Sequence, residues 1–545
     1  TGNPVFTSGM QQWTLATSNS SDYGVKHWSA YIQDTITTGR FSFMLGLRYD
    51  RQTPYIYASQ YRTVDENPAW NVFSSDVKEA LLSFMPGLSV SNISPDYHWT
   101  NLSPRLGIVY DIFGNGRTVV KLSASLYGDY MGTDSVAYLF NAYGTPTSWG
   151  SAHTSFYWLD STLNPGVVDA SEVFGYDPVT YAAIPLIVDG AVNGAFVDAG
   201  ESTQYSGFTP YSSTAQASAY TVAAGATSPK TREILFSVEH ELKPNLSIGM
   251  NFTFRRYYHM SWDTPYYTNG HLGDYRVDEE SWVLGPSFSS VAGSIPDTLL
   301  GVDLGEAAGI DYYLLDSDWT GTPYYSHQLT SQSYTYTGLE FTLSKRLSDK
   351  WMLDGSVSYM HQKAKWGDAY VNETNFWALH SAEYAPYLGE SSGRISQYLF
   401  TPWMLKLEGL YQLPLDFNVS FTFNARAGHV VPHYMTIVDY TWDNTVYNSV
   451  TAYLDVFGRQ RMATFYQLNL RLEKMFKLGN AGRLYLMADG FNVLNSSIIN
   501  RRYDRYEGTL YVYSDHKTFV PYANNYKVNE IMNPFIARLG IRFQF

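Results

Sequence analysis

The residues best suited to chemistry in this sequence are charged side chains near its C-terminal end. Within each short stretch they stand an even number of residues apart: Arg471, Glu473, Arg483, Asp489, Arg538 and Arg542. In an extended chain this spacing puts them on one face. Arginine and carboxylate side chains together form ion pairs and multidentate hydrogen bonds. These side chains are therefore suited to binding a polar surface.

Catalytic motifs do not accompany these charges. The sequence has no H-E-x-x-H, no G-x-S-x-G and no P-loop. Cysteine is absent, which excludes disulfides, thiolate zinc sites and cysteine nucleophiles. His429 and His433 are four residues apart, but the Val-Val-Pro segment between them disfavours a helix, so we interpret them as solvated loop residues. We expect no enzymatic activity, no metal site and no cofactor.

A second set of candidates lies in a long acidic stretch. Between Lys121 and Lys230 there is no Lys or Arg, but there are nine acids, among them Asp160 and Asp169. Such a field disfavours anionic ligands and attracts cations or basic partners. A further interpretation is that the acids only keep the segment soluble.

Aromatic side chains lie in the same acidic stretch. They include Trp149, Phe156, Tyr157 and Trp158. These rings could stack on sugars or grip a peptide, or they could form a small core of the segment itself.

Acidic pairs elsewhere could hold calcium. Asp316 with Asp318 is one example, since oxygen-rich loops are what calcium prefers. EF-hand spacing is missing, so ordinary solvated charge is the simpler interpretation and loop-bound calcium is the alternative.

The segments that position the C-terminal charges alternate strictly between apolar and polar residues. The clearest are 41–50 (FSFMLGLRYD), 246–255 (LSIGMNFTFR), 417–426 (FNVSFTFNAR) and 467–473 (QLNLRLE). A period of two predicts strands with one apolar and one polar face. The chain ends in the same way, because Phe545 continues the apolar face of Leu539, Ile541 and Phe543.

Connections of two very different lengths join these strands. Six tight turns are predicted at 38–39, 114–116, 244–245, 348–349, 414–415 and 479–480. Long segments join the opposite ends, near 52–100, 131–229, 259–330, 364–395, 430–460 and 495–531. A soluble β-sandwich also alternates, but it has no reason to place every long connection at one end. The asymmetry is typical of outer-membrane barrels.

Composition agrees with a membrane barrel. Aromatic residues make up 17% of the chain, with 47 Tyr, 29 Phe and 14 Trp, and such side chains concentrate at membrane interfaces. The mean hydropathy is only −0.23, and no run of about 18 apolar residues predicts a membrane helix. The net charge of −14 argues against binding of nucleic acid.

We therefore predict an all-β protein, an antiparallel transmembrane β-barrel of the outer membrane. About 14 strands are visible: one near 9–18, six hairpins, and a last strand at 532–545. Residues 1–545 form one barrel portion with long loops and no domain boundary. In a closed barrel the C-terminal charges line the lumen.

Four segments resemble TonB-dependent receptors, in particular the Oar-like group with a carboxypeptidase-regulatory-like N-terminal domain. They are YIQDTITTGRFSFMLGLRYD (31–50), LSPRLGIVYDIFGNGRTVVKLSASLYGDY (102–130), DGFNVLN (489–495) and NPFIARLGIRFQF (533–545). The resemblance spans both ends of the chain and is weak across the long loops. It implies that Phe545 serves as the signal read by the barrel-assembly machinery.

The same resemblance implies a longer protein. Such receptors have a 22-stranded barrel plugged by an N-terminal domain that contacts TonB. Nothing before residue 9 suits a plug, so we expect this chain to be the C-terminal part of the barrel. The alternative is a complete 14-stranded barrel, like the fatty-acid transporter class.

The resemblance implies a receptor of the Gram-negative outer membrane that takes up or binds a bulky extracellular ligand. Its expected partners are outer-membrane lipid, the TonB system through a plug that is not in this chain, and an extracellular protein or surface lipoprotein. The alternatives are adhesion, protein export or a structural role of the Oar-like type, and a free-standing passive pore. The sequence does not identify the ligand.

Overall fold

A computed structural model provides the coordinates. The described residues are 11–16, 23–61, 71–86, 88–90, 97–132, 153–158, 166–176, 183–198, 205–206, 210–213, 220–222, 227–259, 261–267, 275–276, 282–284, 313–315, 324–329, 333–365, 401–429, 433–440, 449–453, 461–503, 505–513 and 517–545, with 92, 94 and 431. Among them, no helix is both long and apolar enough to cross a membrane.

One sheet of thirteen antiparallel strands dominates the chain. The strands are β1 (Tyr23–Thr38), β2 (Phe41–Ile56), β3 (Trp99–Asp111), β4 (Thr118–Gly128), β5 (Lys230–Lys243), β6 (Leu246–Tyr258), β7 (Ser333–Ser348), β8 (Trp351–Lys365), β9 (Trp403–Leu413), β10 (Phe417–Arg426), β11 (Phe465–Lys477), β12 (Arg483–Phe491) and β13 (Ile536–Gln544). Each strand pairs with its neighbours in the chain, so the spatial order is the sequence order.

The six predicted hairpins are confirmed. Residues that tolerate a positive φ make their turns, as Gly39 does between β1 and β2 and Asn245 does between β5 and β6. The opposite strand ends lead into long segments, so every short turn lies at one end of the sheet. We call this the short-turn end and the other the long-loop end.

The predicted strand near 9–18 has a different place. Gln11–Ala16 forms a strand, but it pairs with His153–Trp158, outside the main sheet. The main sheet among the described residues therefore has thirteen strands where we expected about fourteen. Six residues are fewer than the roughly 9–11 that a strand needs to cross a membrane.

The two faces of the sheet differ as the alternation predicts. One face carries apolar side chains that no other part of the described protein covers: Leu539 is 86% exposed, Ile541 74% and Ile32 72%. The opposite face carries most of the charged and polar residues, and Asp34, Lys230, Arg232 and Arg256 on the apolar face are exceptions. An apolar face that stays exposed suits contact with lipid, so we call it the membrane face and the other the inner face.

The two connections nearest the N-terminus share a hydrophobic core of their own. Helix α1 (Ser75–Phe84) supplies part of it, and residues from the acidic stretch supply the rest: Phe156, Val168, Val173, Leu186, Ile187, Val192 and Phe196, against Phe73, Val77, Ala80, Leu81, Phe84 and Met85. Helix α2 (Gly194–Asp198) carries Phe196. A long connection must bury apolar surface to become ordered, and this core does so.

Short strands in the connections form small sheets. They are Ser59–Tyr61, Leu88–Val90, His153–Trp158, Val173–Tyr176, Ala183–Pro185, Ile187–Val188, Ala191–Val192, Tyr205–Ser206, Tyr220–Val222, Ser261–Tyr267, Tyr275–Arg276, Trp282–Leu284, Tyr313–Leu315, Tyr324–Leu329, His433–Asp439, Ser449–Tyr453, Ile499–Arg502, Arg505–Val512, Lys517–Pro521 and Val528–Ile531. His433–Asp439 pairs in parallel with Arg505–Val512, which joins two connections that are distant in sequence. As expected, His433 does not continue a helix from His429.

The last hairpin generates a prediction about stability. Gly482 has a φ of +109°, and a Cβ there would lie 2.1 Å from the backbone oxygen of Gln544 in β13. We expect Gly482→Ala to reduce the free energy of unfolding by about 1–3 kcal/mol, because it adds backbone strain and pushes β13 away. Urea unfolding in lipid vesicles measures the change.

Gly479 in the same turn supplies the matched control. Its φ is +61°, and a Cβ would meet nothing within 4 Å. Gly479→Asn should change the unfolding free energy by less than roughly 0.5 kcal/mol, since Asn tolerates this conformation. Equal unfolding midpoints for the two variants would contradict the proposed role of Gly482.

Candidate functional site

The inner face of β11, β12 and β13 brings five of the six predicted charged residues into contact. Asp489 lies at its centre, and its side chain is only 6% exposed. In register, Arg471 of β11 and Arg538 of β13 stand directly opposite Asp489 on either side. Strand pairing alone therefore places one carboxylate between two guanidinium groups.

Both arginines donate to this carboxylate. Arg471 Nε donates to Asp489 Oδ1 at 2.5 Å, and Arg538 donates to Oδ2 from Nε at 2.9 Å and from Nη2 at 2.7 Å. Two partners satisfy the buried charge, which would otherwise be costly to desolvate. The side chain of Arg538 remains 59% exposed, and Asp489 uses only part of its N–H donors.

A second, looser contact lies nearer the short-turn end. Arg542 Nη2 is 3.5 Å from Glu473 Oε2, and Asn418 Nδ2 donates to Glu473 Oε1 at 3.2 Å. The guanidinium of Arg542 stacks over the ring of Tyr485 at 4.1 Å. Arg483 is exposed and lies opposite Gln544, without an ion pair among the described residues. It is the one predicted lumen residue that stays outside the cluster.

Another inner-face cluster was not singled out from the sequence. Glu233 in β5 is 8% exposed, accepts a hydrogen bond from the guanidinium of Arg255 and a second from Tyr127 Oη at 3.2 Å. Alternation put Arg255 on the polar face of its strand, so its orientation was predictable. The burial of Glu233 was not, because it depends on how β4, β5 and β6 align.

A third group lies near the middle of β2 and in the adjoining part of β1. Arg48 donates to the carboxylate of Asp50 from Nε and Nη2 at 2.8–3.0 Å, and His27 Nε2 lies 2.9 Å from Asp50 Oδ1. The inner face therefore carries fixed ion pairs on both halves of the sheet. Such a surface can bind another polar surface or line a water-filled channel.

The predicted loop residues have mixed outcomes. Trp158 is half-buried and packs against the loop core, in which Phe156 is fully buried, as the interpretation of a loop core predicts. The backbone N–H of Asp169 donates to Glu172 Oε2 at 2.9 Å, beside a short 3-10 turn. Trp149 and Asp160 lie outside the described residues. A functional role for the four predicted loop residues stays a prediction; they are Trp149, Trp158, Asp160 and Asp169.

Basic side chains surround His429 at the long-loop end of β10. Burial and then the positive charges of Arg426, Arg501 and Arg461 lower the pKa of His429 below its usual value. Arg461 Nη1 donates to the backbone oxygen of Gly428 at 3.3 Å. Because Arg426 points to the inner face, this cluster lies at the mouth of the lumen. The sequence offered no signal for it, since its members come from three separate segments, 426–429, 461 and 501.

Metal ligands do not converge in the part of the chain that the structure describes. No group of three or more His, Cys, Asp or Glu side chains could hold a metal ion there. The acidic pair Asp316 and Asp318, considered for calcium, lies outside the described residues.

Comparison with known families identifies the class of this chain. Residues 5–452 match the family described as Outer membrane beta barrel domain, and the chain belongs to that family. The protein is therefore a β-barrel of the Gram-negative outer membrane. A comparison with curated proteins finds no significant match.

Several solved structures resemble the fold. The FrpB iron transporter from Neisseria meningitidis (F3-3 variant) is 9% identical, with a TM-score of 0.39, over 97% of this chain and 46% of that protein. The outer membrane transporter YddB from Escherichia coli is 10% identical, with a TM-score of 0.39, over 96% of this chain and 54% of that protein. The chain spans about half the length of the structures that it resembles.

The central carboxylate generates a second prediction. Asp489→Asn leaves two arginines without a shared negative charge, and we expect the free energy of unfolding to fall by about 1–3 kcal/mol. Glu473→Gln is the matched control, because Gln can still accept the hydrogen bond from Asn418 and only the long contact with Arg542 is lost. Urea unfolding in lipid vesicles should show a larger loss of unfolding free energy for Asp489→Asn than for Glu473→Gln. Equal losses for the two variants would contradict a special role of the shared carboxylate in stability.

The low pKa of His429 generates a third prediction. The folded protein binds fewer protons at this residue than the unfolded chain, so stability is lost as the pH falls below about 6.5. His429→Gln should remove part of that acid sensitivity. The measurement is the urea midpoint between about pH 7.5 and 5.5, with exposed His98→Gln as the control. Parallel pH profiles for the parent and His429→Gln would contradict the assignment.

Proposed function

We propose that this chain is the barrel portion of a TonB-dependent receptor that takes up or binds a bulky extracellular ligand. The observation that carries the proposal is the polar, charged inner face of a wall of thirteen strands. A barrel of about eight strands can fill its interior with side chains, but a wider barrel encloses water or another domain. The lumen of this protein therefore needs an occupant or a channel.

The geometry of the inner face favours an occupant. Arg471, Arg538 and Arg542 each have a carboxylate partner, yet their side chains stay roughly half exposed. Each therefore presents oriented N–H donors toward the lumen. Fixed donors of this kind suit hydrogen bonds to a folded plug domain, which is what the resemblance of the strand motifs implies.

TonB dependence belongs to this proposal through the same resemblance. In such receptors the inner-membrane TonB system displaces the plug and admits the ligand. We propose no catalytic activity and no resident cofactor for this chain. Our remaining expectations are loop-bound calcium, membership of the Oar-like group, and the further strands of a 22-stranded barrel.

A role in adhesion or protein export is a second candidate. The ordered core shared by α1 and the acidic stretch favours it, because a loop layer with a core can present a defined surface to a protein partner. A basic partner fits the excess of acids there.

Conductance in planar bilayers tests the proposal. We expect the full-length protein, purified from outer membranes, to show no steady open channel in potassium chloride, because a plug closes the lumen. The reading frame upstream of Thr1 should encode that plug and a TonB-contact segment. A steady large conductance would favour the passive pore. A closed protein without such an upstream segment would favour adhesion or export.

A further inference from the structure

A groove of about 800 Å³ crosses the membrane face of β1 to β5. Its lining comprises Ile32, Asp34, Leu45, Gly46, Leu47, Pro104, Arg105, Leu106, Ala124, Ser125, Leu126, Arg232, Glu233 and Ile234. Most of these side chains are apolar and lie on the membrane face. Gly46, Arg105, Ser125 and Glu233 belong to the inner face by alternation, so the groove reaches their main chain.

Strand register explains why the surface is hollow there. Ala124 lies directly between Leu106 of β3 and Ile234 of β5, and its single methyl group leaves space between the two larger side chains. One row further toward the long-loop end, Pro104 is opposite Leu47. The groove is therefore bounded by branched side chains and floored by short ones, which suits a hydrocarbon chain.

Basic residues lie at the long-loop end of this groove. Arg232 lines it, and Arg256 of β6 is directly opposite Arg232 in register. Lys230 is two positions further along β5 and so shares their face. Arg232 and Arg256 are exposed, and Arg232 stacks over the ring of Tyr258 at 4.6 Å. Three positive charges thus converge at one end of an apolar surface.

Carboxylates do not balance these charges locally. Glu233, the neighbour of Arg232 in sequence, points to the inner face and binds Arg255 there. Among the described residues, neither Arg232 nor Arg256 forms an ion pair. Asp34 also lines the groove but belongs to β1, four strand spacings or roughly 19 Å from β5.

His259, just beyond β6, lies in the positive electrostatic field of Lys230 and Arg232. Its pKa is lowered by burial first and then by the charges of Lys230 and Arg232. Its Nδ1 atom is buried without a hydrogen-bond partner among the described residues. A bound anion at this point would reduce the electrostatic repulsion among the positive charges of the cluster.

Unbalanced arginines on a membrane face carry a cost. A basic residue there is most unfavourable at the midplane of the bilayer and much less so near the interface. The long-loop end is the external end of an outer-membrane barrel, so the cluster stands at the level of the head groups of the outer leaflet. A phosphate group there offers the bidentate partner that guanidinium groups prefer.

We propose that the groove and the basic cluster together bind one lipid of the outer leaflet that carries phosphate. Its phosphate lies between Arg232 and Arg256, and an acyl chain lies along Ile234, Ala124 and Leu47. The site is separate from the lumen, and its occupancy does not depend on the proposed transport function.

Native mass spectrometry of the full-length protein in mild detergent tests this proposal. The probes are lipid A, which carries phosphates and acyl chains, its phosphate-free form, and inorganic phosphate. We expect lipid A to bind, the phosphate-free form to bind at least roughly tenfold more weakly, and inorganic phosphate to compete poorly. Equal binding of both lipid forms, or full displacement by inorganic phosphate, would overturn the proposal.

Substitutions locate the site. Arg232→Gln with Arg256→Gln should weaken lipid A binding at least roughly tenfold, and Arg232→Lys with Arg256→Lys should retain much of it. Lys243→Gln with Arg346→Gln removes the same charge at the exposed short-turn end of β5 and β7 and should leave binding unchanged. Equal effects of the two Gln pairs would mean general charge attraction and overturn the proposal.

The groove itself is tested by filling it. Ala124→Phe should reduce lipid A binding while leaving every charge in place. The mobility shift on heating in gel electrophoresis shows whether each variant is folded. Unchanged lipid binding by folded Ala124→Phe would show that the acyl chain lies elsewhere and contradict the proposed pose.

Discussion

Backbone hydrogen bonding without water is the constraint on which the rest of this structure depends. In hydrocarbon, each unpaired N–H or C=O group costs several kcal/mol, so a chain that crosses there must satisfy its backbone within the sheet. Thirteen strands pair in the order of the chain, and each finds its partner one tight turn or one long connection away. The sheet then separates two media. The period-two alternation, with lipid on one side and polar groups on the other, follows from that separation.

The ion pairs of the inner face reinforce strand register. Asp489 in β12 meets Arg471 from β11 and Arg538 from β13 only when all three strands are aligned as observed. A slip of one residue would turn Asp489 toward lipid, at high cost. The same reasoning applies to Glu233 with Arg255, which connects β5 and β6. These contacts therefore serve the wall itself, and their exposed donors remain available to whatever occupies the lumen.

Arginines have different surroundings on the two faces of the sheet. Several inner-face arginines, among them Arg471, Arg538 and Arg255, have carboxylate partners in the chain, whereas Arg483 has none among the described residues. Membrane-face Arg232 and Arg256 have none among the described residues, and they stand beside an apolar groove. Two unpaired arginines beside an apolar groove are the combination from which we infer a site for an external anion. The two connections nearest the N-terminus differ again, since they share a hydrophobic core of their own around Phe84 and Phe156.

The sequence by itself determined the six hairpins, the last strand, the asymmetry of the connections and the face on which the charged residues of the alternating segments lie. Those features are local, because alternation and turn chemistry depend on neighbours in the chain. Tertiary structure alone decided that Asp489 is shared by two arginines while Arg483 has no ion pair, because this depends on register across strands. It also decided the pairing of Gln11–Ala16 with His153–Trp158 and the basic groups around His429. Residues so distant in sequence meet only through packing, which no local pattern encodes.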